Sequence, residues 1–199
     1  MATLPLPEDR SYITPYIDPA LVSEVLIDPT QLHNRIQALG TQLSVDYADA
    51  HDLLLVSILK GSVLFLTDLM RCMTVPHAID FMAVTSYGVH ARHSTGTVRI
   101  DMDLRQNIEG RDVLIVEDIV DSGLTLDYIC RLLQARHPAS LRICALLNKP
   151  SRRKIDLSLD YVGFDIPDKF VFGYGLDWDE LYRNLPFIGV VAEGAAHNG

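Results

Sequence analysis

One stretch of the sequence constrains the fold more than any other. Residues 112–125 begin as an aliphatic run and end in a small polar turn, with the acidic pair Glu117-Asp118 between them. A run this rich in Val and Ile is typical of a strand buried on both faces. The turn Asp121-Ser122-Gly123 then leads into a helix, where backbone N–H groups can bind an anion. The stretch therefore predicts a site for a ligand that carries phosphate together with a cation or hydroxyl groups.

Segments with the period of a strand or of a helix alternate along the rest of the chain. Asp28-Pro29 is a good helix start, because Asp caps free N–H groups and Pro fits the first turn. We predict helices over residues 29–48, 63–73 and 124–136, a helical turn over 179–182, and further strands over 53–59, 79–85, 98–101, 142–147, 161–164, 170–173 and 188–192. Residues 1–25 show no clear period and are expected to form an extended arm. This alternation predicts an α/β fold with a central parallel twisted sheet flanked by helices. Functional residues then belong at the carboxyl ends of the strands.

The composition limits the possible partners. The 199 residues fit one domain, and 17 basic against 26 acidic residues give a net charge of −9. General nucleic-acid binding needs a basic surface, so this acidic chain is a poor candidate for it. The cysteines are scattered, which argues against a disulfide framework, and we find neither a signal peptide nor an apolar run long enough to span a membrane. We expect a cytoplasmic protein with no nucleic-acid and no membrane partner.

The polar residues of the opening stretch each have an ordinary interpretation. Glu117-Asp118 alone is compatible with a polar strand end, and Asp121 alone with a helix cap. Combined with the Ser122-Gly123 turn and Thr125, they offer ligands for a cation or hydroxyls beside an anion site. The stretch lacks both the Gly-Lys-[Ser/Thr] of a P-loop and the Gly-x-Gly-x-x-Gly of a dinucleotide turn.

The stretch resembles the phosphoribosyl-pyrophosphate loop of the type I phosphoribosyltransferases. Other motifs stand in the order found in the hypoxanthine (hypoxanthine-guanine) branch of that family: Leu59-Lys60-Gly61, Ser86-Tyr87-Gly88, Leu147-Asn148-Lys149-Pro150, VGFDIPDKFV at residues 162–171 and GYGLD at residues 173–177. The last two are typical of purine salvage. The resemblance covers roughly residues 25–193.

The resemblance implies an architecture and a reaction. A single domain would carry a small hood, from about residues 1–30 and 150–199, and a mobile lid loop over residues 86–97. The reaction would move the 5-phosphoribosyl group from phosphoribosyl pyrophosphate to a 6-oxopurine, hypoxanthine or guanine, with Mg²⁺ as cofactor. IMP or GMP and pyrophosphate would result. The family also implies a homodimer or homotetramer.

Matching positions imply roles at the phosphoribosyl end. Asp121 would act as general base and acid at purine N7. Glu117 and Asp118 would bind the ribose hydroxyls and Mg²⁺. The 5′-phosphate would be bound by the loop residues Asp121, Ser122, Gly123, Leu124 and Thr125. Some relatives carry Lys where this chain has Leu124, so one possible phosphate contact is missing while the backbone N–H groups remain.

The motif after the second strand implies the pyrophosphate end. Lys60 and Gly61 would bind pyrophosphate, following a non-proline cis peptide between Leu59 and Lys60. Arg183 would be a second pyrophosphate ligand. Asp177 would hold a second Mg²⁺, and backbone carbonyls near it would read the C2 substituent of the purine.

The remaining motifs imply the purine end. Lys149 would donate to the 6-oxo group, which an adenine amino group could not satisfy. Phe170 would stack on the base, and the Val171 backbone would read its edge. Ser86 and Tyr87 in the lid would close over the reacting centre and exclude water.

Two alternatives remain open. The first is a regulatory nucleic-acid-binding protein on a phosphoribosyltransferase fold, disfavoured by the net charge of −9 and by Asp121, Lys149 and Asp177. The second is a Mg²⁺-dependent phosphohydrolase that uses Asp101 and Asp103 as a D-x-D pair, although the residues that follow do not continue the usual pattern.

Two further clusters have simpler interpretations. His90 and His93 have a spacing compatible with metal binding, but no third ligand is evident, so solvated loop histidines are favoured. The basic run at residues 151–154 is expected to be a solvated loop.

Overall fold

A computed structural model of the chain describes residues 17, 21–86, 98–192 and 194. The α-helices in these residues are α1 (Pro29–Asp46), α2 (Val63–Cys72) and α3 (Leu124–Gln134), and a 3₁₀ helix spans Pro150–Arg152. The strands are β1 (Val22–Ile27), β2 (Leu53–Leu59), β3 (His77–Ser86), β4 (Val98–Met102), β5 (Asp112–Val120), β6 (Ser140–Asn148), β7 (Tyr161–Asp165), β8 (Val171–Phe172) and β9 (Ile188–Val191).

The main sheet has six strands in the order β4-β3-β2-β5-β6-β7. Its strands are parallel except for β4, which pairs antiparallel with β3 at the edge. The predicted α/β fold is confirmed, with this one antiparallel edge strand added. Because β2, β5 and β6 are neighbours, their carboxyl ends meet at one edge of the sheet.

The two faces of the main sheet bury two separate apolar clusters. Leu114 and Val116 belong to the cluster that includes α1 and α2, whereas Val113 and Ile115 belong to the cluster that includes α3. All four side chains are fully buried. The aliphatic run of β5 is therefore covered on both faces, as predicted, and its polar end emerges at the edge of the sheet.

A second, three-stranded sheet has the order β1-β9-β8 and is antiparallel. It lies over a small cluster that contains Phe172, Trp178 and Phe187. Segments from both ends of the described chain build it, which agrees with a small hood, and the residue bounds of that hood stay a prediction.

The structure confirms the start of α1 and corrects two other predictions. Asp28 accepts a hydrogen bond from Gln31 N at 2.8 Å, and Gln31 Oε1 accepts one from Asp28 N at 2.9 Å, which completes a capping box. The arm predicted over residues 1–25 is wrong from Val22 onward, because β1 begins there and pairs with β9. A strand stabilised by so distant a partner leaves little periodic signal in its own sequence.

The helical turn predicted over residues 179–182 is also wrong. Trp178 and Leu181 exchange two backbone hydrogen bonds of 3.1 Å, and Asp179 and Glu180 between them have φ of 53° and 65°. Two successive positive φ angles belong to a tight hairpin turn and not to a right-handed helix. Within the described part of the chain, no helix combines the length and apolar character needed to cross a membrane.

Candidate active site

Polar residues from three neighbouring strands meet at the carboxyl edge of the main sheet. Lys60 follows β2, Glu117 and Asp118 lie near the carboxyl end of β5, and Lys149 follows β6. The peptide bond between Leu59 and Lys60 is cis, as the family resemblance implies. Strand order thus brings together residues that are far apart in the sequence, as predicted.

The predicted phosphate loop, residues 121–125 (called the phosphate loop below), leads from β5 into the first residues of α3. Gly123 has φ of 83°, a left-handed conformation that favours glycine, and the helix begins directly after it. Lys154 N donates to Ser122 O at 3.0 Å, so the chain after the 3₁₀ helix supports the loop from one side. Backbone N–H groups at this helix start can bind an anion.

The acidic pair is half-buried beside this loop. Burial, together with the charge of Asp118, raises the pKa of Glu117 well above its ordinary value, and Glu117 Oε2 is a buried acceptor with no hydrogen-bond partner among the described residues. Burial raises the pKa of Asp118 to about 6, although a hydrogen bond from Ile119 N and the charge of Arg183 oppose this shift. An unsatisfied carboxylate beside a second one suits a hard cation or sugar hydroxyls.

The described residues bring together no group of three or more metal-ligating side chains. Mg²⁺ commonly binds through one or two carboxylates plus water and substrate phosphates. The Glu117-Asp118 pair therefore fits a Mg²⁺ that is completed by its substrate.

Asp121 faces an arginine that the sequence does not single out. Arg152 Nε lies 2.7 Å from Asp121 Oδ1, and Arg152 Nη1 lies 3.4 Å from both carboxylate oxygens of Asp168. Arg153 also turns inward, where its Nη2 donates to Asn148 Oδ1. Arg152 remains exposed, as expected for a solvated loop at residues 151–154, but both arginines pair with residues of the site, which that expectation missed.

Lys149 is the most deeply placed cation of the site, with only 7% of its surface exposed. Burial lowers the pKa of its ammonium, while the charges of Asp121 and Asp168 act in the opposite direction. A buried ammonium near carboxylates is a strong donor for a polar ligand atom. Phe170, directly before β8, keeps 58% of its surface exposed, whereas Val171 is buried. An exposed ring of this kind can stack on a planar ligand.

The predicted pyrophosphate end, residues 59–61 and 173–183 (called the pyrophosphate end below), depends on glycine contacts. A Cβ on Gly61 would lie 1.6 Å from Asp118 Oδ2, and a Cβ on Gly175 would lie 2.0 Å from Gly61 O. Both distances are far below a van der Waals contact, so only glycine lets these segments approach so closely. The cis peptide turn, Asp118 and the GYGLD segment are therefore packed directly together.

Charged side chains pair across the pyrophosphate end. Lys60 Nζ donates to Glu180 Oε2 at 2.7 Å, and Arg183 Nη2 lies 2.9 Å from Asp177 Oδ1 and 3.2 Å from Glu180 Oε2. Hydrogen bonds from Lys60 and Arg183 lower the pKa of Glu180. Arg183 Nη1 also donates to Gly175 O at 2.9 Å, which fixes the guanidinium against the backbone.

The structure thus assembles most of the predicted site. Ser86 is described only as the last residue of β3, while Tyr87, His90 and His93 lie outside the described residues. The site also includes two residues that the sequence did not indicate, Arg152 and Glu180. Of these two, only Glu180 could have been found from the sequence, because it stands three residues before Arg183, the predicted pyrophosphate ligand.

The D-x-D alternative finds no support in the geometry. Asp101 pairs with Arg99 at 2.6 Å and accepts a hydrogen bond from Thr85, whereas Asp103 pairs with Arg136 at 2.8 Å. These hydrogen bonds lower the pKa of both aspartates. Each carboxylate is neutralised by a different arginine, and the two do not form one site.

Comparison with known proteins identifies the family. Residues 28–180 match the family model described as "Phosphoribosyl transferase domain". The hypoxanthine-guanine phosphoribosyltransferase of Mycobacterium avium is 51% identical over 178 residues, which cover 87% of each chain. The hypoxanthine phosphoribosyltransferase of Escherichia coli strain K12 is 47% identical, covering 84% of this chain and 94% of the relative. Among solved structures, a hypoxanthine phosphoribosyltransferase from Staphylococcus aureus superposes with a TM-score of 0.82 at 49% identity, covering 86% of this chain and 92% of that one. This chain belongs to the phosphoribosyltransferase family, within its hypoxanthine-guanine branch.

Proposed function

We propose that this chain serves purine salvage by transferring the 5-phosphoribosyl group of phosphoribosyl pyrophosphate to hypoxanthine or guanine. The products are IMP or GMP and pyrophosphate. The observation that carries the proposal is the meeting of a phosphate loop, a half-buried acidic pair and a buried lysine at one edge of the sheet. These groups match the phosphate, the ribose hydroxyls and the 6-oxo group of the proposed substrates.

Asp121 is the residue we assign to proton transfer. The reaction breaks the bond between ribose C1′ and the pyrophosphate oxygen, forms the bond to the purine nitrogen and builds positive charge on the ribose ring. Asp121 accepts the proton of purine N7 as the new bond forms, and returns it in the reverse reaction. Arg152, 2.7 Å away, holds the Asp121 carboxylate in place. The nest of Ser122, Gly123, Leu124 and Thr125 binds the 5′-phosphate and anchors the ribose.

The pyrophosphate leaves as a polyanion and needs positive charge around it. We assign Lys60, the Gly61 backbone and Arg183 to its phosphate oxygens. Glu117, Asp118 and Asp177 would hold Mg²⁺, which supplies neutralisation of the leaving group when it is bound.

The purine is selected by its oxo group. Lys149 donates to O6, and adenine would instead present its amino group to a buried ammonium, leaving both donors unpaired. Phe170 stacks on the ring, the Val171 backbone reads its edge, and carbonyls near Asp177 read C2. Closure by Ser86 and Tyr87, the cytoplasmic location and a homodimeric or homotetrameric assembly stay predictions.

A spectrophotometric assay tests the proposal. Purified protein is supplied with phosphoribosyl pyrophosphate, Mg²⁺ and hypoxanthine, guanine, xanthine or adenine, each in a separate reaction. We expect nucleotide from hypoxanthine, guanine or both, none from adenine, and loss of turnover when EDTA removes the metal. Absence of product with all three oxopurines would contradict the proposed function, and RNA binding in its place would favour the regulatory alternative.

A further inference from the structure

Both cations of the pyrophosphate end contact the same carboxylate. Lys60 Nζ donates to Glu180 Oε2 at 2.7 Å, and Arg183 Nη2 lies 3.2 Å from that same oxygen. Lys60 and Glu180 are 120 residues apart in the sequence. One oxygen atom therefore joins the turn after β2 to the hairpin that carries Arg183.

The hairpin backbone sets the position of Glu180. Glu180 N donates to Asp177 Oδ2 at 3.0 Å, and Asp179 and Glu180 occupy the tight turn closed by Trp178 and Leu181. The side chain itself remains 66% exposed, as does that of Lys60 at 67%. The backbone is thus held, while the carboxylate is free to turn away into solvent.

The carboxylate of Glu180 offers the two cations what a phosphate oxygen would offer. Carboxylate and phosphate are the two anions that guanidinium and ammonium groups bind with charge-assisted hydrogen bonds. Ion pairs between exposed side chains are weak, because water solvates each partner well. A polyanion that brings several oxygens can therefore displace a single exposed carboxylate.

We propose that Glu180 competes with pyrophosphate for Lys60 and Arg183 and thereby promotes release of this product. The proposal rests on the assignment of these two cations to pyrophosphate in the proposed function. When pyrophosphate leaves, Glu180 replaces its oxygens at Lys60 and, together with Asp177 at 2.9 Å, at Arg183. Product release limits turnover in many enzymes, and a resident competing anion lowers affinity for the departing one.

The test compares two variants that remove the same charge. Glu180→Gln keeps the shape of the side chain, and Glu109→Gln changes an exposed carboxylate in the loop before β5, outside the site. Calorimetric titration with pyrophosphate in the presence of Mg²⁺ gives the dissociation constant of each protein. We expect tighter binding by about three- to tenfold in Glu180→Gln, the size expected for exposed ion pairs, and no change in Glu109→Gln. Equal affinity in Glu180→Gln and the parent, or weaker affinity in the variant, would overturn the competition.

A third variant separates this inference from the proposed function. Lys60→Ala should weaken pyrophosphate binding, and an unchanged affinity would reject the pyrophosphate site itself. If Lys60→Ala weakens binding while Glu180→Gln leaves it unchanged, the site stands and the role of Glu180 is rejected. Should Glu180→Gln fold poorly by its melting temperature, Glu180→Asn is used instead, because Asn tolerates the left-handed backbone. The same tightening is expected from it.

Discussion

The phosphate loop and the pyrophosphate end are built in different ways. The phosphate loop consists of five consecutive residues after one buried strand, whereas the pyrophosphate end joins Lys60 to Glu180, which lies 120 residues later in the chain. The first region takes its shape from local sequence: an aliphatic strand, a glycine with φ of 83° and a helix start. The second takes its shape from backbone contact between distant segments, since a Cβ on Gly175 would lie 2.0 Å from Gly61 O. Contiguous sites can be predicted from a single sequence, and assembled sites only in part.

The two regions also differ in how their charges are balanced. At the pyrophosphate end, carboxylates pair with both cations, Lys60 and Arg183. Beside the phosphate loop, by contrast, Glu117 Oε2 has no hydrogen-bond partner among the described residues. We therefore expect substrate binding at the pyrophosphate end to displace existing partners, and beside the phosphate loop to supply a partner for Glu117 Oε2.

The largest effect should come from alanine substitutions at three glycines that share a positive φ. Gly175→Ala places a methyl group 2.0 Å from a backbone oxygen, Gly123→Ala places one 3.0 Å from the flexible end of Arg153, and Gly110→Ala meets nothing within 4 Å. We expect Gly175→Ala to lower the free energy of unfolding by more than about 3 kcal/mol, and Gly110→Ala by only about 1 kcal/mol of backbone strain. Gly123→Ala should fall between them. Urea unfolding measures all three.

Gly110→Ala is the matched control, because it carries the strain of a positive φ without a clash. If all three variants lose the same stability, close backbone approach does not distinguish the pyrophosphate end. The comparison between the two regions would then fail.

The next effect concerns Lys149, where activity and stability should change in opposite directions. Lys149→Met removes the donor to the 6-oxo group and should lower turnover of hypoxanthine by at least about 100-fold. The substitution also removes a buried ammonium group, and burial lowers the pKa of that group. The free energy of unfolding should therefore rise by about 0.5–2 kcal/mol at neutral pH. The unfolded chain keeps its proton to higher pH than the folded one, so this gain is full below the folded pKa and vanishes above the ordinary value near 10.5.

Lys154→Met, at an exposed lysine of the same loop, is the control for the Lys149 experiment. Melting curves between neutral and alkaline pH should show no comparable gain for it. A Lys149→Met protein that is less stable than the parent at neutral pH would show that this charge is well paired and not costly.

The smallest of these effects concerns Arg152, which we expect to act through Asp121. Arg152→Gln should lower kcat by roughly tenfold, since it removes the partner 2.7 Å from Asp121 Oδ1. The KM for phosphoribosyl pyrophosphate should change little. In an Asp121→Asn background, Arg152→Gln should have no further effect on kcat. Additive losses in the double variant would show that Arg152 acts independently of Asp121, and Arg131→Gln on α3 serves as the control.

Much of the fold is predictable from the sequence for a physical reason. A strand buried on both faces, such as β5, must be aliphatic throughout, and a capping box such as Asp28 with Gln31 marks a helix start by residue type alone. Both signals are local. The strand order then follows the usual rules for parallel α/β sheets, so Lys60, Glu117 and Lys149 are correctly expected at one edge.

The missed features share a dependence on distant partners. Strand β1 owes its pairing to β9 near the other end of the chain, and the turn at Asp179-Glu180 places Glu180 against Lys60, 120 residues earlier in the sequence. Arg152 reaches Asp121 only because a 3₁₀ helix turns it back. In each case the local residue types are also compatible with another structure, namely an extended arm, a helical turn or a solvated loop, and tertiary structure decides between them.

The most direct measurement of the central claim compares Asp121→Asn with Asp101→Asn in the assay with phosphoribosyl pyrophosphate and hypoxanthine. Both substitutions remove one carboxylate charge, but only Asp121 stands at the phosphate loop, while Asp101 pairs with Arg99 on the edge strand β4. We predict that Asp121→Asn lowers kcat by about 10²- to 10⁴-fold, with circular dichroism and melting temperature retained. Asp101→Asn should keep kcat within about threefold of the parent. A full kcat in Asp121→Asn, or an equal loss in both variants, would contradict the assignment of Asp121 as the residue that transfers the proton.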